Sequence, residues 1–175
     1  MNDFMRRFAD VIRLPPPHLE ACDVVELLRS VTHLMREDCR QRRIDWRSEA
    51  LEDLPEICLD PAQMEQVFIN ILKNAMEAVE SGEQPSTAGF AGGSFIGSVT
   101  VRTGYQQGRP SITVKDTGAG IPPDARENLF TPFFTTKADG QGIGLPMVRH
   151  ILSAHGFDFL LQESETGGSE FIILF

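Results

Sequence analysis

The stretch from Asp60 to Val79 limits the possible folds more than any other part of this chain. Asp60, Pro61 and Gln63 announce a helix in three ways: a carboxylate N-cap, a proline in the first turn and a glutamine placed to reach back to the cap. Met64, Val67, Phe68, Ile71, Leu72, Ala75 and Val79 then recur at three- and four-residue steps, which predicts a long helix to about Val79. So broad an apolar stripe requires a second layer to cover it.

The rest of the chain supplies that layer. Residues 23–41 form a second amphipathic helix, with Val24, Leu27, Leu28, Val31 and Leu34 on its apolar side. Residues 2–14 place Phe4, Met5, Phe8, Val11, Ile12 and Leu14 on one helical face before Pro15, Pro16 and Pro17 stop it. Ile44 to Ser48 alternates like a strand. Ser98–Tyr105 and Ser111–Asp116 read as paired strands around a turn at Gly108, and Phe157–Gln162 and Glu170–Phe175 as a second pair around Gly167 and Gly168. Between the pairs, Gly142–His155 reads as a helix closed by Gly156. Residues 81–97 are rich in Gly and Ser and form a loop. The pattern predicts an α+β fold: a two-layer α/β sandwich of one mixed sheet with helices on one face. At 175 residues, 41% hydrophobic, the chain suits one domain with a short appended element, residues 1–17 before a domain at 18–175.

Composition removes several functional classes. Sixteen Lys and Arg against 25 Asp and Glu, a net charge of -9, leave no basic footprint for nucleic acid, so any polyanion must be held locally. Cys22, Cys39 and Cys58 are odd in number and form no C-x-x-C pair, which argues against a disulfide framework and a thiolate metal site and favours the cytoplasm. No apolar run approaches the roughly 20 residues that span a bilayer.

Three segments carry candidate chemistry. Asp116-Thr117-Gly118-Ala119-Gly120-Ile121-Pro122 follows a predicted strand, and a carboxylate held there can accept from an exocyclic amine such as that of adenine. Taken alone, it is equally a strand-to-loop turn. Gly140-Gln141-Gly142-Ile143-Gly144-Leu145 opens a helix, where free N–H groups and the positive end of the dipole favour phosphate. Its spacing is neither that of a dinucleotide fingerprint nor that of a P-loop. Asn70 and Asn74, four apart on the Asp60 helix, share a face at the border of the apolar stripe. In isolation they are ordinary solvent-facing asparagines.

In order, QVFINILKNAMEAV, DTGAGIP, LFTPFFTTK, GQGIGL and GGSEF resemble the asparagine, first glycine, phenylalanine, second glycine and third glycine boxes of sensor histidine kinases. These belong to the wider GHKL group, of Bergerat fold, which also holds topoisomerase, chaperone and mismatch-repair ATPases. The spelling FTPFFTTK is most similar to the nitrogen-regulator style of kinase. The resemblance implies that Asp116 reads the adenine amine, with Gly118, Gly120 and Ile121 shaping the purine pocket and Ser169 beside it. It implies that Asn74 ligates Mg²⁺, with Asn70 helping to hold the metal and phosphates. Lys137 and the segment Gly140, Gly142, Ile143, Gly144 and Leu145 would then contact the phosphates of ATP, residues 134–141 forming a lid. Asn70, Asn74 and Lys137 are thus the implied catalytic set. Phe130, Phe133 and Phe134 read as packing and docking residues, and Pro146 removes one N–H from the phosphate-facing end of its helix.

One element of the family is not recognisable. None of His18, His33, His150 and His155 stands in the acceptor context of His followed by Glu or Asp near Arg and Pro; His18-Leu19-Glu20 is the nearest echo. Residues 1–17 resemble the last turns of the kinase dimerisation hairpin. The implied function is the ATP-binding catalytic domain of a two-component kinase. Its partners would be a histidine-bearing dimerisation domain of the same kinase and a response regulator, within a homodimeric parent. His155 itself reads as a positive charge at a helix C-terminus. Two other readings stay open. A self-contained clamp ATPase wants a carboxylate base where position 70 is Asn, and intact glycine boxes argue against a non-catalytic partner-binding module, such as a degenerate kinase that only senses nucleotide.

Overall fold

The structure is a computed structural model that describes residues 14–51, 53–82, 95–136, 140–165 and 167–175. In chain order its elements are β1 (Glu20–Cys22), α1 (Val24–Gln41), β2 (Ile44–Leu51), β3 (Ile57–Leu59), α2 (Pro61–Ser81), β4 (Gly97–Gln106), β5 (Arg109–Asp116), α3 (Gly144–His155), β6 (Asp158–Glu163) and β7 (Ser169–Leu174). A single 3-10 turn, Arg126–Asn128, precedes α3. All of the helix expected over residues 2–14 except Leu14, and most of the 81–97 loop, lie outside the described residues. Among the described residues no helix is long and apolar enough to cross a membrane.

The main sheet has the order β2-β4-β5-β7-β6. It is mixed, because β2 runs parallel to β4 while the other neighbours are antiparallel. The β4–β5 hairpin closes with Gln107 and Gly108 both at positive φ, the two-residue turn whose twist matches that of the strands. The predicted α+β sandwich is therefore the observed fold. The two-stranded ribbon of β1 and β3 was not anticipated. Each of its strands has three residues, too few to show a period of two.

α2 is the centre of the core. Every residue of its predicted stripe is buried, with Met76 in addition, against Val99, Val101, Ile112 and Val114 of β4 and β5 and against α1 and α3. In α1 the buried line is Val24, Val25, Leu28, Val31, Met35 and Cys39, and Leu34 is 67% exposed. Leu27 and Leu34 are seven residues apart and so share a line at the rim of the stripe; Leu27 still packs against the core, but the layer below stops short of Leu34. Burial pushes the thiol of Cys39 up to about 11, so it behaves as a small apolar side chain.

The caps follow the sequence, with one exception. Asp23 Oδ1 accepts from the N–H groups of Val25 and Glu26, and Asp60 Oδ1 from that of Gln63. Gly156 closes α3 in the left-handed conformation, φ 74°. The expected return bond from Gln63 to the Asp60 N–H does not form. Gln63 Nε2 donates instead to the carbonyl of Pro15 at 2.9 Å, and the Asp60 N–H donates to His155 Nε2 at 3.0 Å.

Burial pushes the Asp60 carboxyl upward, but N–H donors from His18, Gln63 and Ala62 outweigh it and hold the group below its ordinary range. A carboxyl depressed in the folded state stabilises the fold above its unfolded value of about 3.9, and this contribution is lost as pH falls through the folded value. Asparagine caps a helix nearly as well without titrating. The stability advantage of the parent over Asp60→Asn should therefore shrink as pH falls from about 5 to about 3. Urea melts at several pH values check this, and a pH-independent difference would remove Asp60 as the source.

Candidate functional site

β5 ends at Asp116, which is 2% exposed at the floor of a cleft between α2 and the sheet. Its Oδ1 accepts from the N–H groups of Gly118 at 2.8 Å and Ser169 at 3.2 Å, and its Oδ2 from Ser169 Oγ at 2.5 Å. The carboxylate is thus held by the loop that follows it and by the start of β7. Two close approaches set that loop. A Cβ on Gly118 would lie 2.3 Å from the carbonyl of Ala78 in α2, and one on Gly168 2.1 Å from the Asp116 carbonyl oxygen. Ala119 N–H donates to Ala78 O at 3.2 Å and completes the docking.

The cleft has two connected parts. The inner one, about 660 Å³ counting its open mouth, is walled by Ile71, Ala75, Val114, Ile121, Leu145, Leu161 and Phe171, with Asp116, Gly120 and Ser169 at its polar end. An apolar slot with one carboxylate and one hydroxyl at its floor suits a flat heterocycle bearing an amine. The outer part, about 560 Å³, is lined by Glu77, Phe134, Thr135, Gly140, Gly142, Gly144 and Pro146. Asn74, Leu129, Thr136 and Leu145 border both parts.

α3 points its N-terminus at the outer part. No side chain caps it at Ile143. The turn before it is tight: Gly142 has φ 63°, its carbonyl accepts from Phe133 N–H at 2.8 Å, and a Cβ there would lie 2.5 Å from the Phe133 backbone. Gly144 opens the helix against α2, where a Cβ would come 3.0 Å from Asn70 Oδ1. Asn70 Nδ2 donates to the Gln66 carbonyl at 2.8 Å and lies 3.9 Å from the sulfur of Met147. Pro146, buried, occupies the first turn of α3.

The structure thus gathers Asn74, Asp116, Gly120, Ile121, Gly140, Gly142, Gly144, Leu145 and Ser169 around one cleft. Asn70 stands behind it at the α2–α3 contact, and Gly118 shapes its loop from the α2 side. Ile143 is the N-cap of α3. Lys137 lies outside the described residues. Phe130 packs on Phe159 at 5.3 Å between ring centres, as a packing residue should. Sequence reasoning missed Glu77 and Leu129 as lining residues, and Gly168 as a contact of Asp116, whereas Thr136 falls within the expected lid segment 134–141. Glu77 was accessible in principle, since it follows Asn74 by three and so shares its face. Leu129 and Gly168 lie within the phenylalanine and third glycine boxes, but nothing local assigned either of them to this cleft.

Residues 59–175 match the family described as histidine kinase-, DNA gyrase B- and HSP90-like ATPases. The chain is 36% identical over 175 residues to the sensor histidine kinase ZraS of Salmonella typhi, covering 99% of this chain and 34% of that protein. It therefore spans about a third of the length of that curated relative. Among solved structures it is similar to the catalytic domain of histidine kinase ThkA in a nucleotide-free form, with a TM-score of 0.73 and 28% identity over 90% of this chain and 94% of that one. It is also similar to full-length ShkA in complex with AMPPNP, with a TM-score of 0.74 and 27% identity over 97% of this chain and 34% of that one. With the match extending from the start of α2 through both glycine turns to the last strand, the chain belongs to the family of histidine kinase-, DNA gyrase B- and HSP90-like ATPases.

Proposed function

We propose that this chain is the ATP-binding catalytic domain of a two-component sensor histidine kinase, which offers the γ-phosphate of ATP to a histidine on a dimerisation helix. The observation that carries the reading is the cleft itself: a buried Asp116 at the floor of its apolar end, and the uncapped N-terminus of α3 beside Asn74 at the other. Adenine fits the first, its amine donating to Asp116. Phosphates fit the second, because helix N–H groups and the positive dipole end favour anions there. The complex of the ShkA relative with AMPPNP supports the same occupant.

The donor set suits Mg²⁺ held mainly through the nucleotide. Among the described residues no group of three or more His, Cys, Asp or Glu converges on a metal position. Asn74 offers a neutral oxygen at the junction of the two parts of the cleft, and a hard ion there would draw its charge compensation from phosphate oxygens. Bound Mg²⁺ would neutralise phosphate charge during transfer. The protein's own work is positioning: Asp116 and Ser169 set the base, Asn74 and the α3 N-terminus set the phosphates, and Lys137 adds a cation to the lid. Partners on this reading are the histidine-bearing domain of the same kinase, within a homodimer, and a response regulator, all in the cytoplasm.

Position 70 separates this reading from a self-contained ATPase. Hydrolysis needs a base within reach of the attacking water, and the Asn70 amide has no useful basicity near neutral pH. The purified chain should bind Mg²⁺-ATP, fail to label itself, release negligible phosphate, and transfer label to a separately supplied histidine-bearing dimerisation hairpin. Asn74→Ala should abolish the metal-dependent transfer, and Asn70→Glu should add slow hydrolysis only if the lid still closes and the carboxylate turns from the Gln66 carbonyl toward the cleft. Robust parental phosphate release that disappears in Asn74→Ala would favour the ATPase instead.

A further inference from the structure

α2 and α3 are joined twice. At one junction Gly144 opens α3 against Asn70, beside the cleft. From there α3 runs back along the first half of α2, and its last residue, His155, reaches the N-cap Asp60. The imidazole is used at both nitrogens: Nε2 lies 3.0 Å from Asp60 N and Nδ1 2.8 Å from the carbonyl oxygen of Ile151. A backbone N–H can only donate and a carbonyl can only accept, so the proton sits on Nδ1 and the ring is neutral. The positive charge expected for His155 is replaced by an acceptor. The ring stacks on Phe157 at 5.4 Å, which fixes its plane.

The same cap holds a third segment. Asp60 Oδ2 accepts from the N–H of His18 at 2.9 Å, and Gln63 Nε2 donates to the Pro15 carbonyl at 2.9 Å. Leu14 packs against the core beside them. Gln63 Nε2 is thereby engaged with the segment 15–18, and the N–H that the Gln63 oxygen would accept in a capping box is given to α3 through His155. An imidazole bonded at both nitrogens is held in one tautomer and one orientation. Arg or Lys could not accept this bond, and Phe would keep the stack and lose it.

We propose that His155 is a positioning residue that couples the segment Pro15–His18 to the two helices framing the cleft, so that a change at that segment is felt at the Asn70–Gly144 contact and the reverse. Only the second arm of the test rests on the nucleotide reading.

The first arm measures amide hydrogen exchange at His18 in the unliganded chain, with Ile112 in β5 as the core control. His155→Phe should speed exchange at His18 about tenfold and leave Ile112 unchanged, while His155→Gln, whose carbonyl can take the place of Nε2, should return it to within about twofold of the parent. Nitrogen-15 shifts should show the His155 proton on Nδ1. Should His155→Phe fail to fold, His155→Asn, too short to reach Asp60, replaces it. Equal His18 exchange in all variants, or a proton on Nε2, would overturn the proposal.

The second arm adds Mg²⁺-AMPPNP, with affinity measured by calorimetry. Coupling is reciprocal, so the nucleotide should slow His18 exchange in the parent and in His155→Gln but not in His155→Phe. Loss of binding in His155→Phe that His155→Gln restores supports the same coupling. Slowing that persists in His155→Phe refutes it. If the parent binds no AMPPNP, the functional reading fails and the first arm still decides the role of His155.

Discussion

Asp116→Ala is expected to weaken Mg²⁺-ATP binding by about 1.5 to 3 kcal/mol, roughly ten- to more than a hundredfold in Kd. The adenine amine would lose a charge-assisted acceptor. The Gly118 and Ser169 N–H groups and the Ser169 hydroxyl, which now donate to the carboxylate, would also lose theirs at the buried floor of the cleft. Recognition and pocket shape are therefore coupled, and Asp116→Asn is needed to separate them. The amide can still accept the Gly118 N–H, while its NH₂ would face either Ser169 or the base. GTP, whose six-position carries an oxygen acceptor, should bind the parent poorly because two acceptors would meet. In Asp116→Asn an NH₂ opposite that oxygen should narrow the gap between ATP and GTP. Titration calorimetry with both nucleotides measures this. Equal ATP affinity for the parent and Asp116→Ala would sink the adenine assignment.

The second large effect separates two adjacent glycines. Gly167 and Gly168 both have positive φ, 88° and 78°, so alanine at either carries the left-handed penalty of about 1 to 2 kcal/mol. Around Gly167 nothing lies within 4 Å of an added Cβ, whereas at Gly168 the Cβ would sit 2.1 Å from the Asp116 carbonyl oxygen and 2.8 Å from the Thr117 Cα. Those neighbours are backbone, and relief means moving the end of β5 that carries the carboxylate. Gly168→Ala should therefore cost about 3 kcal/mol or more and abolish detectable nucleotide binding, while Gly167→Ala costs about 1 to 2 kcal/mol and binds normally. Urea melts at constant m-value give the stabilities. Equal losses at the two positions would show that φ strain alone acts and that the close approach to Asp116 is relaxed at little cost.

These glycines also show where reading the chain alone stops. Gly167-Gly168 is legible as a turn, since the strands on either side alternate and glycine permits positive φ. Which of the two abuts Asp116, some fifty residues earlier, is written in no local pattern. The α2 stripe, the two hairpins, the αL cap at Gly156 and the Asp60 cap were all legible for the opposite reason: each depends on residues within a turn or two of each other, where helical periodicity and turn chemistry act directly. The five ordered boxes were legible because close backbone approach and amide placement demand particular residue types at particular spacings. What only the tertiary structure decided involves residues far apart in sequence. β1 pairs with β3 across Glu20 and Leu59, and β2 lies parallel to β4, so neither pairing has a turn to announce it. Leu34 faces outward because the layer beneath α1 stops short of it. Asn70 meets Gly144, and His155 takes the Asp60 N–H that Gln63 would otherwise have claimed, because α3 folds back along α2. Periodicity identified the faces that had to be covered; which side chains then completed one another's hydrogen bonds was settled only by the packing of α3 on α2 and of β7 beside β5.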